Sequence, residues 1–212
     1  MKNISILKKI TQGMYVLTTN GGGCIVDSVS QISGGDNPLI AVSVMKSNYT
    51  NELMKNNLHF ALSILDKDVN PEIIKTFGFN SMREINKFKD VSTTMINSIK
   101  VINDSLGYLF CEIIDSIENE THTLFIGRLK EADEFKIGES MSYNYYQEHK
   151  DELLRVTTES GKTAWICSVC GYIYYGESLP NDFECPICKV GKEFFQKKWF
   201  WINCHYRVTT FK

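Results

Sequence analysis

Four cysteines fall into two CxxC pairs, Cys167 with Cys170 and Cys185 with Cys188, and fourteen residues separate the pairs. Thiolates at this spacing close around one tetrahedral metal ion. Two bridges are the alternative, but disulfides are rare in a reducing cytosol, and two intervening residues favour a metal-binding turn. Tetrahedral sulfur suits zinc and iron alike, so the ligand type leaves the ion open. A second constellation lies in SVMKSNYTNELMK, where Lys46, Ser47, Asn48, Tyr49 and Thr50 fall between a strand ending near Val44 and a helix starting near Asn51. A cation, hydroxyls and free backbone N–H groups meet there, as they do where a helix start holds a phosphate. Asn48 or Thr50 acting as an ordinary N-cap explains the same residues.

The elements that must position these groups follow from the remaining chain. At 212 residues and a net charge of −2, the chain can form one substantial core plus a small module, and nucleic acid is not expected as a partner. It has no apolar run long enough to cross a bilayer, and MKNISILKKITQGMYV lacks a small-residue cleavage site after a hydrophobic segment, so no membrane association and a cytoplasmic location are expected. Cys24, Cys111 and Cys204 belong to no spacing pattern and read as buried or free thiols. Short runs of strand character occupy Met14 to Thr19, Cys24 to Val29, Leu39 to Val44, His59 to Leu65, Leu106 to Ile114 and His122 to Leu129, with a turn at Gly21, Gly22 and Gly23. Helices are expected only at Asn51 to Asn57, Pro71 to Phe77 and Met82 to Phe88. Many strands and few short helices predict a mainly β fold, a closed or partly closed barrel. The expected layout is a barrel domain over residues 1–150, a polar linker over 151–163, the metal module over 164–198 and a tail over 199–212.

The residues around the cysteines, CGYIY, LPNDFECPIC and VGKEFF, resemble rubredoxin, a one-iron electron carrier, through Gly171, Tyr172, Tyr174, Pro180, Asp182, Pro186 and Gly191. Phe183 stands where rubredoxins usually have tryptophan, and the short loop between the pairs is like that of the rubredoxin module of rubrerythrins. Zinc ribbons share the bare ligand spacing. Upstream, GCIVDSVSQ, AVSVMKSNYTNEL, FGFNSMREINKF, THTLFIG and YNYYQE are similar, in order, to the FMN-binding split barrel of the flavin reductase and flavoredoxin family.

That resemblance implies a homodimer with FMN at the interface. Cys24, Val26, Asp27 and Ser28 would line the isoalloxazine, with main-chain groups of the last three bonding its polar edge. Lys46, Ser47, Asn48, Tyr49 and Thr50 would hold the phosphate. Arg83 and Lys87 would add positive charge to the phosphate or the flavin edge. In the SGRDxDKF pattern of the family, Met82 here replaces glycine and Asn86 replaces an acid. His122 would lie near the flavin; read without the family it is a strand-edge histidine bonded to a backbone carbonyl. Tyr143, Tyr145 and Tyr146 would stack on the flavin or pack a dimer interface. No general acid or base is assigned to Asp27 or Glu112, because hydride transfer to a flavin needs positioning more than a protein base.

The two halves together resemble flavin- and iron-containing rubredoxins of anaerobes. They imply NAD(P)H reduction of FMN, single-electron passage to one iron ion on the four cysteines, and delivery to diiron or flavo-diiron enzymes that reduce oxygen, peroxide or nitric oxide, such as a flavo-diiron protein or rubrerythrin. The chain has no GxGxxG fingerprint, so a separate NADH reductase is the other possible donor. The contrasting reading is a flavin-binding protein with a structural zinc ribbon used for protein contact. In the tail, Trp199, Phe200 and Trp201 read as packing residues, and Cys204 with His205 lack partners for a second metal site.

Overall fold

A computed structural model describes residues 4–154, 164–169 and 171–198, which fall into two compact units divided after Leu154. The first unit is built on a curled sheet. Strand β1 (Tyr15–Thr19) turns through Asn20 and Gly21 into β2 (Gly22–Val26), with Gly21 at φ +85°, a conformation that favours glycine. Gly22 is part of β2 rather than of the expected glycine turn, and it lets the helix that carries Leu53 pack close, since a Cβ there would meet Leu53 Cδ1 at 2.5 Å.

The chain then runs through β3 (Val29–Gln31), β4 (Leu39–Met45), α1 (Tyr49–Met54), β5 (His59–Ile64), α2 (Pro71–Phe79), β6 (Thr93–Ile96), β7 (Ile99–Ile102), β8 (Gly107–Glu118), β9 (His122–Glu134) and α3 (Tyr143–Leu153). The seven-stranded sheet has the order β2-β1-β5-β8-β9-β4-β3. Its two edge strands, β2 and β3, are therefore consecutive in sequence, joined only by Asp27 and Ser28. Three residue steps span at most about 11 Å, so the edges must meet and the sheet must close on itself. Side chains from both ends accordingly share one interior: Leu17, Cys24, Val42, Phe60, Cys111 and Phe125 are all buried in it.

Alternation places neighbouring residues in a second core on the outer face. Val16 packs there with Ile74 and Phe77 of α2, Met141, and Tyr146 of α3. Helix α2 starts with Pro71 after Asn70, whose side chain accepts from the Glu72 amide, and Ser142 caps α3 in the same way through the Tyr145 amide.

Several expectations are corrected. The strand expected over Cys24 to Val29 is broken at Asp27 and Ser28 because the chain changes sheet edge there. Met82 to Phe88 forms turns, not a helix: the Arg83 amide donates to Ser81 Oγ (3.2 Å) and the Phe88 amide to Asn86 Oδ1 (3.0 Å), diverting donors that a helix would use. The β6–β7 hairpin was not foreseen; its turn, Asn97 and Ser98, has φ of +44° and +72°. Helix α3 was also not foreseen and runs into the segment read as linker, because Leu153 and Leu154 pack on the outer core.

The second unit is a three-stranded sheet of β10 (Ala164–Cys167), β11 (Ile173–Tyr175) and β12 (Phe195–Lys198), ordered β11-β10-β12. Phe183, in the place usual for tryptophan, packs edge-on against Phe195 at 5.2 Å and against Tyr174 at 4.7 Å. Among the described residues, no helix is long and apolar enough to cross a membrane.

The barrel interior is close-packed at Gly127, where a Cβ would stand 2.6 Å from Phe60 Cζ and 2.8 Å from Cys111 Cβ. Gly127→Ala should therefore destabilise the barrel by about 1–3 kcal/mol, as overpacking does. Urea unfolding checks this: the midpoint should fall with an unchanged slope, and a wild-type midpoint would show that Phe60 has room to move.

Candidate functional site

The metal centre is made by two backbone turns. In the first, the Gly171 amide donates to the Cys167 carbonyl at 2.9 Å; in the second, the Lys189 amide donates to the Cys185 carbonyl at 2.9 Å. The residue after each pair is left-handed, Gly171 at φ +84° and Lys189 at φ +60°, so both turns have the same shape although only one uses glycine. The thiols of Cys167, Cys185 and Cys188 lie within 4.8 Å of one another, and Cys167 Sγ stands 3.6 Å from Cys188 Sγ with no disulfide formed. Metal–sulfur bonds of about 2.3 Å at the tetrahedral angle separate sulfurs by roughly 3.8 Å, so the thiols stand at ligand spacing. An all-sulfur donor set suits zinc or iron and does not suit magnesium or calcium. Cys167 and Cys185 are fully buried, whereas Cys188 is partly exposed. Cys170 lies outside the described residues, as do Trp199, Phe200, Trp201, Cys204 and His205.

In the barrel unit, the sequence-predicted residues form three neighbouring groups. In the first, Cys24, Asn48 and Thr50 converge where β2 meets α1. The Cys24 thiol is buried to 1% exposure; burial raises its pKa, and the Thr50 side chain, the Lys87 charge and the Asn48 side chain partly offset that rise. Asn48 is the N-cap of α1, its Oδ1 accepting from the Thr50 amide at 3.0 Å.

The second group is the edge crossing. Val26 is buried, the Val29 amide donates to Asp27 O (3.0 Å), Ser28 Oγ donates to Asp27 Oδ1 (3.0 Å), and Gln12 Nε2 donates to Ser28 Oγ (3.0 Å). The third is a charged rim. Lys46 Nζ and Lys55 Nζ share the Glu118 carboxylate at 3.0 and 2.5 Å, and hydrogen bonds from Lys55 and then Lys46 hold its pKa low. Arg83 pairs with Glu52 and lies 4.5 Å over the Tyr49 ring. His122 starts β9 opposite Met45, and its Nδ1 is 2.8 Å from Thr121 Oγ1, a hydroxyl rather than the backbone carbonyl expected from its strand-edge position.

Lys87 is turned away from that rim and inward. Its ammonium donates to the carbonyls of Gly23 (2.9 Å) and Phe77 (3.1 Å). Tyr146 is buried in its own chain's core, with Tyr143 and Tyr145 packed beside it, which places all three on helix α3. Glu118, Glu52 and Gln12 escaped sequence reading because each meets its partner from a distant stretch, Glu118 from 72 residues beyond Lys46.

The donor set at the start of α1 suits a phosphate. Ser47 and Lys46 are exposed, and among the described residues no protein group accepts from the Ser47 or Tyr49 amides.

Comparison with known proteins agrees with both halves. Residues 7–154 match the family described as flavin reductase like domain, and residues 165–196 match the rubrerythrin, rubredoxin-like domain. The chain is 31% identical to high molecular weight rubredoxin of Moorella thermoacetica over 90% of this chain and 97% of that protein. It is 29% identical to the ferric-chelate reductase (NAD(P)H) of Archaeoglobus fulgidus over 74% of this chain and 96% of that protein. The solved NADH:FAD oxidoreductase SgcE6 of Streptomyces globisporus C-1027 shares the fold, with a TM-score of 0.60 at 20% identity over 66% of this chain and 86% of that one. The chain belongs to the flavin reductase-like family and carries a rubredoxin-like domain C-terminal to its barrel.

Proposed function

We propose that this chain is an electron-transfer oxidoreductase of the cytoplasm that takes hydride from NAD(P)H onto FMN and passes electrons singly to an iron ion held by Cys167, Cys170, Cys185 and Cys188. The observation that carries this reading is the presence of a thiolate cluster at ligand spacing in the same chain as a flavin reductase-like barrel. A bound flavin supplies two-electron acceptance with one-electron release, and thiolate-held iron supplies a one-electron station.

The chain's own residues bind and orient. Lys46 and Ser47, with the amides of Ser47 and Tyr49, hold the phosphate, while Asn48 and Thr50 shape that turn. Main-chain groups of Val26, Asp27 and Ser28 bond the polar edge of the ring, and Cys24 packs beneath it. Arg83, braced by Glu52, and His122 flank the phosphate end. The working form is a homodimer, and the acceptors are diiron or flavo-diiron reductases of oxygen, peroxide or nitric oxide. A barrel domain, a linker and a rubredoxin domain in one chain keep the two centres at an effective concentration on the millimolar scale when the linker spans them.

Two measurements test this reading. Purified protein should show both flavin and ferric-thiolate absorption, and NADH alone should bleach both bands. Flavin bleaching with the thiolate band unchanged through many turnovers would overturn the intramolecular passage; bleaching only on addition of another reductase would assign NADH oxidation to that partner. Zinc in place of iron in protein made with ample iron would favour the structural ribbon.

Removing the phosphate cation discriminates within the barrel. Lys46→Ala should weaken FMN binding roughly tenfold, about 1.4 kcal/mol, and leave riboflavin binding unchanged. Equal loss for both ligands in a fluorescence titration would remove Lys46 from the phosphate site, and tighter binding of FAD than of FMN would reassign the cofactor.

A further inference from the structure

Among the described residues of the barrel unit, two charged side chains are buried, Asp66 at 5% exposure and Lys87 at 3%. They are treated differently. Asp66 is met by Lys136 at 3.0 Å, so its charge is neutralised on the spot. Lys87 has no acid within salt-bridge distance among the described residues. Its ammonium instead donates to the carbonyls of Gly23 (2.9 Å) and Phe77 (3.1 Å) and stands 5.7 Å from the centre of the Phe77 ring. Two carbonyl dipoles and a ring face satisfy hydrogens, but they leave a net positive charge in place.

A buried charge without a counter-ion is costly, and a scaffold needing only two donors at this point has neutral alternatives. The position of the charge gives it a use. Gly23 lies on β2, an edge strand of the sheet, and the next residue is Cys24, whose thiol feels the ammonium. Desolvation holds the Lys87 pKa below its ordinary value, opposed by Cys24. Away from water such a field reaches several ångströms with little screening.

We propose that Lys87 is a positioning residue for electron uptake: its unneutralised ammonium beside β2 favours the reduced state of a flavin bound along Cys24 to Ser28. This rests on the flavin reading above. Hydride addition brings two electrons and one proton, a net charge of minus one, and the buried cation meets that charge through the strand without touching the ring. Lys87 thus acts differently from Lys46, which serves the phosphate from the exposed rim.

The test compares wild type, Lys87→Arg and Lys87→Gln, each loaded with FMN, by spectroelectrochemical titration of the flavin and by circular dichroism of the fold. Glutamine keeps donors for the two carbonyls and removes the charge. The preference for reduced over oxidised flavin should fall at least tenfold in Lys87→Gln, a midpoint about 30 mV more negative for a two-electron couple. Lys87→Arg should stay close to wild type. An unchanged midpoint in folded, flavin-loaded Lys87→Gln overturns the proposal. So does failure of Lys87→Gln to fold, which would assign the lysine to the scaffold alone. A wild-type protein that binds no flavin would instead remove the underlying functional reading.

Discussion

Asp27 and Ser28 set the shape of the barrel unit. They are the whole connection between β2 and β3, strands that lie at opposite edges of a seven-stranded sheet. A link this short cannot reach across an open sheet, so the curl is imposed by covalent reach before any side chain is considered. The curl creates the common interior of Leu17, Cys24, Val42, Phe60 and Phe125. It also makes the crossing a place where backbone leaves the ladder, with the Ser43 amide donating to the Ser28 carbonyl (3.0 Å) across the join. Irregular backbone at a barrel seam presents amides and carbonyls to a ligand without breaking a strand pair.

The metal unit depends on backbone geometry in a comparable way. Each cysteine pair is held by an amide-to-carbonyl bond across the turn and by a left-handed residue after it. Lys189 takes that conformation without glycine's freedom, at a cost on the order of 1 kcal/mol, and this strain is repaid when the turn presents its thiols at ligand spacing. Aromatic packing of Phe183, Tyr174 and Phe195 gives the small unit a core that a tryptophan would otherwise fill.

Different parts of this architecture were legible in the sequence to different degrees. The cysteine spacing and the glycine-marked hairpin after Thr19 are local signals, and local signals carry their own geometry, although the turn falls at Asn20 and Gly21 and not over all three glycines. Buried strands such as Leu39–Met45 and His59–Ile64 were readable because their apolar runs are continuous. The split of β2 from β3 was not readable: Cys24 to Val29 keeps an unbroken strand pattern, and only the sheet order shows that the chain changes edge. Met82 to Phe88 misled for a different reason, since its apolar spacing fits a helix while Ser81 and Asn86 capture the amides. The polar surface of α3 hid a helix whose buried side rests on Tyr146 and Leu154. At the site, the residue types around α1 were legible and their partners were not, because pairs such as Lys46 with Glu118 form only in the folded chain.

Those partners change how a phosphate would be recognised. Lys46 and Lys55 are held by Glu118 and Arg83 by Glu52, so these three cations and two carboxylates leave the rim one net positive charge before any ligand arrives. Exposed ion pairs of this kind contribute only about 0–1 kcal/mol each, so an arriving phosphate exchanges one weakly held carboxylate for a more highly charged group at little cost. In the proposed site, the fixed amides of Ser47 and Tyr49 and the turn that Asn48 caps add geometric selection to the rim's positive charge. Glu52 and Glu118 fix these cations by ion pairs, so acids that look like competitors act as a holding frame. Among the described residues, Lys87 has no such acid. On the proposed reading, the unit separates two electrostatic tasks: ion-paired cations at the surface orient the phosphate, and the buried Lys87 ammonium acts where charge itself must be felt.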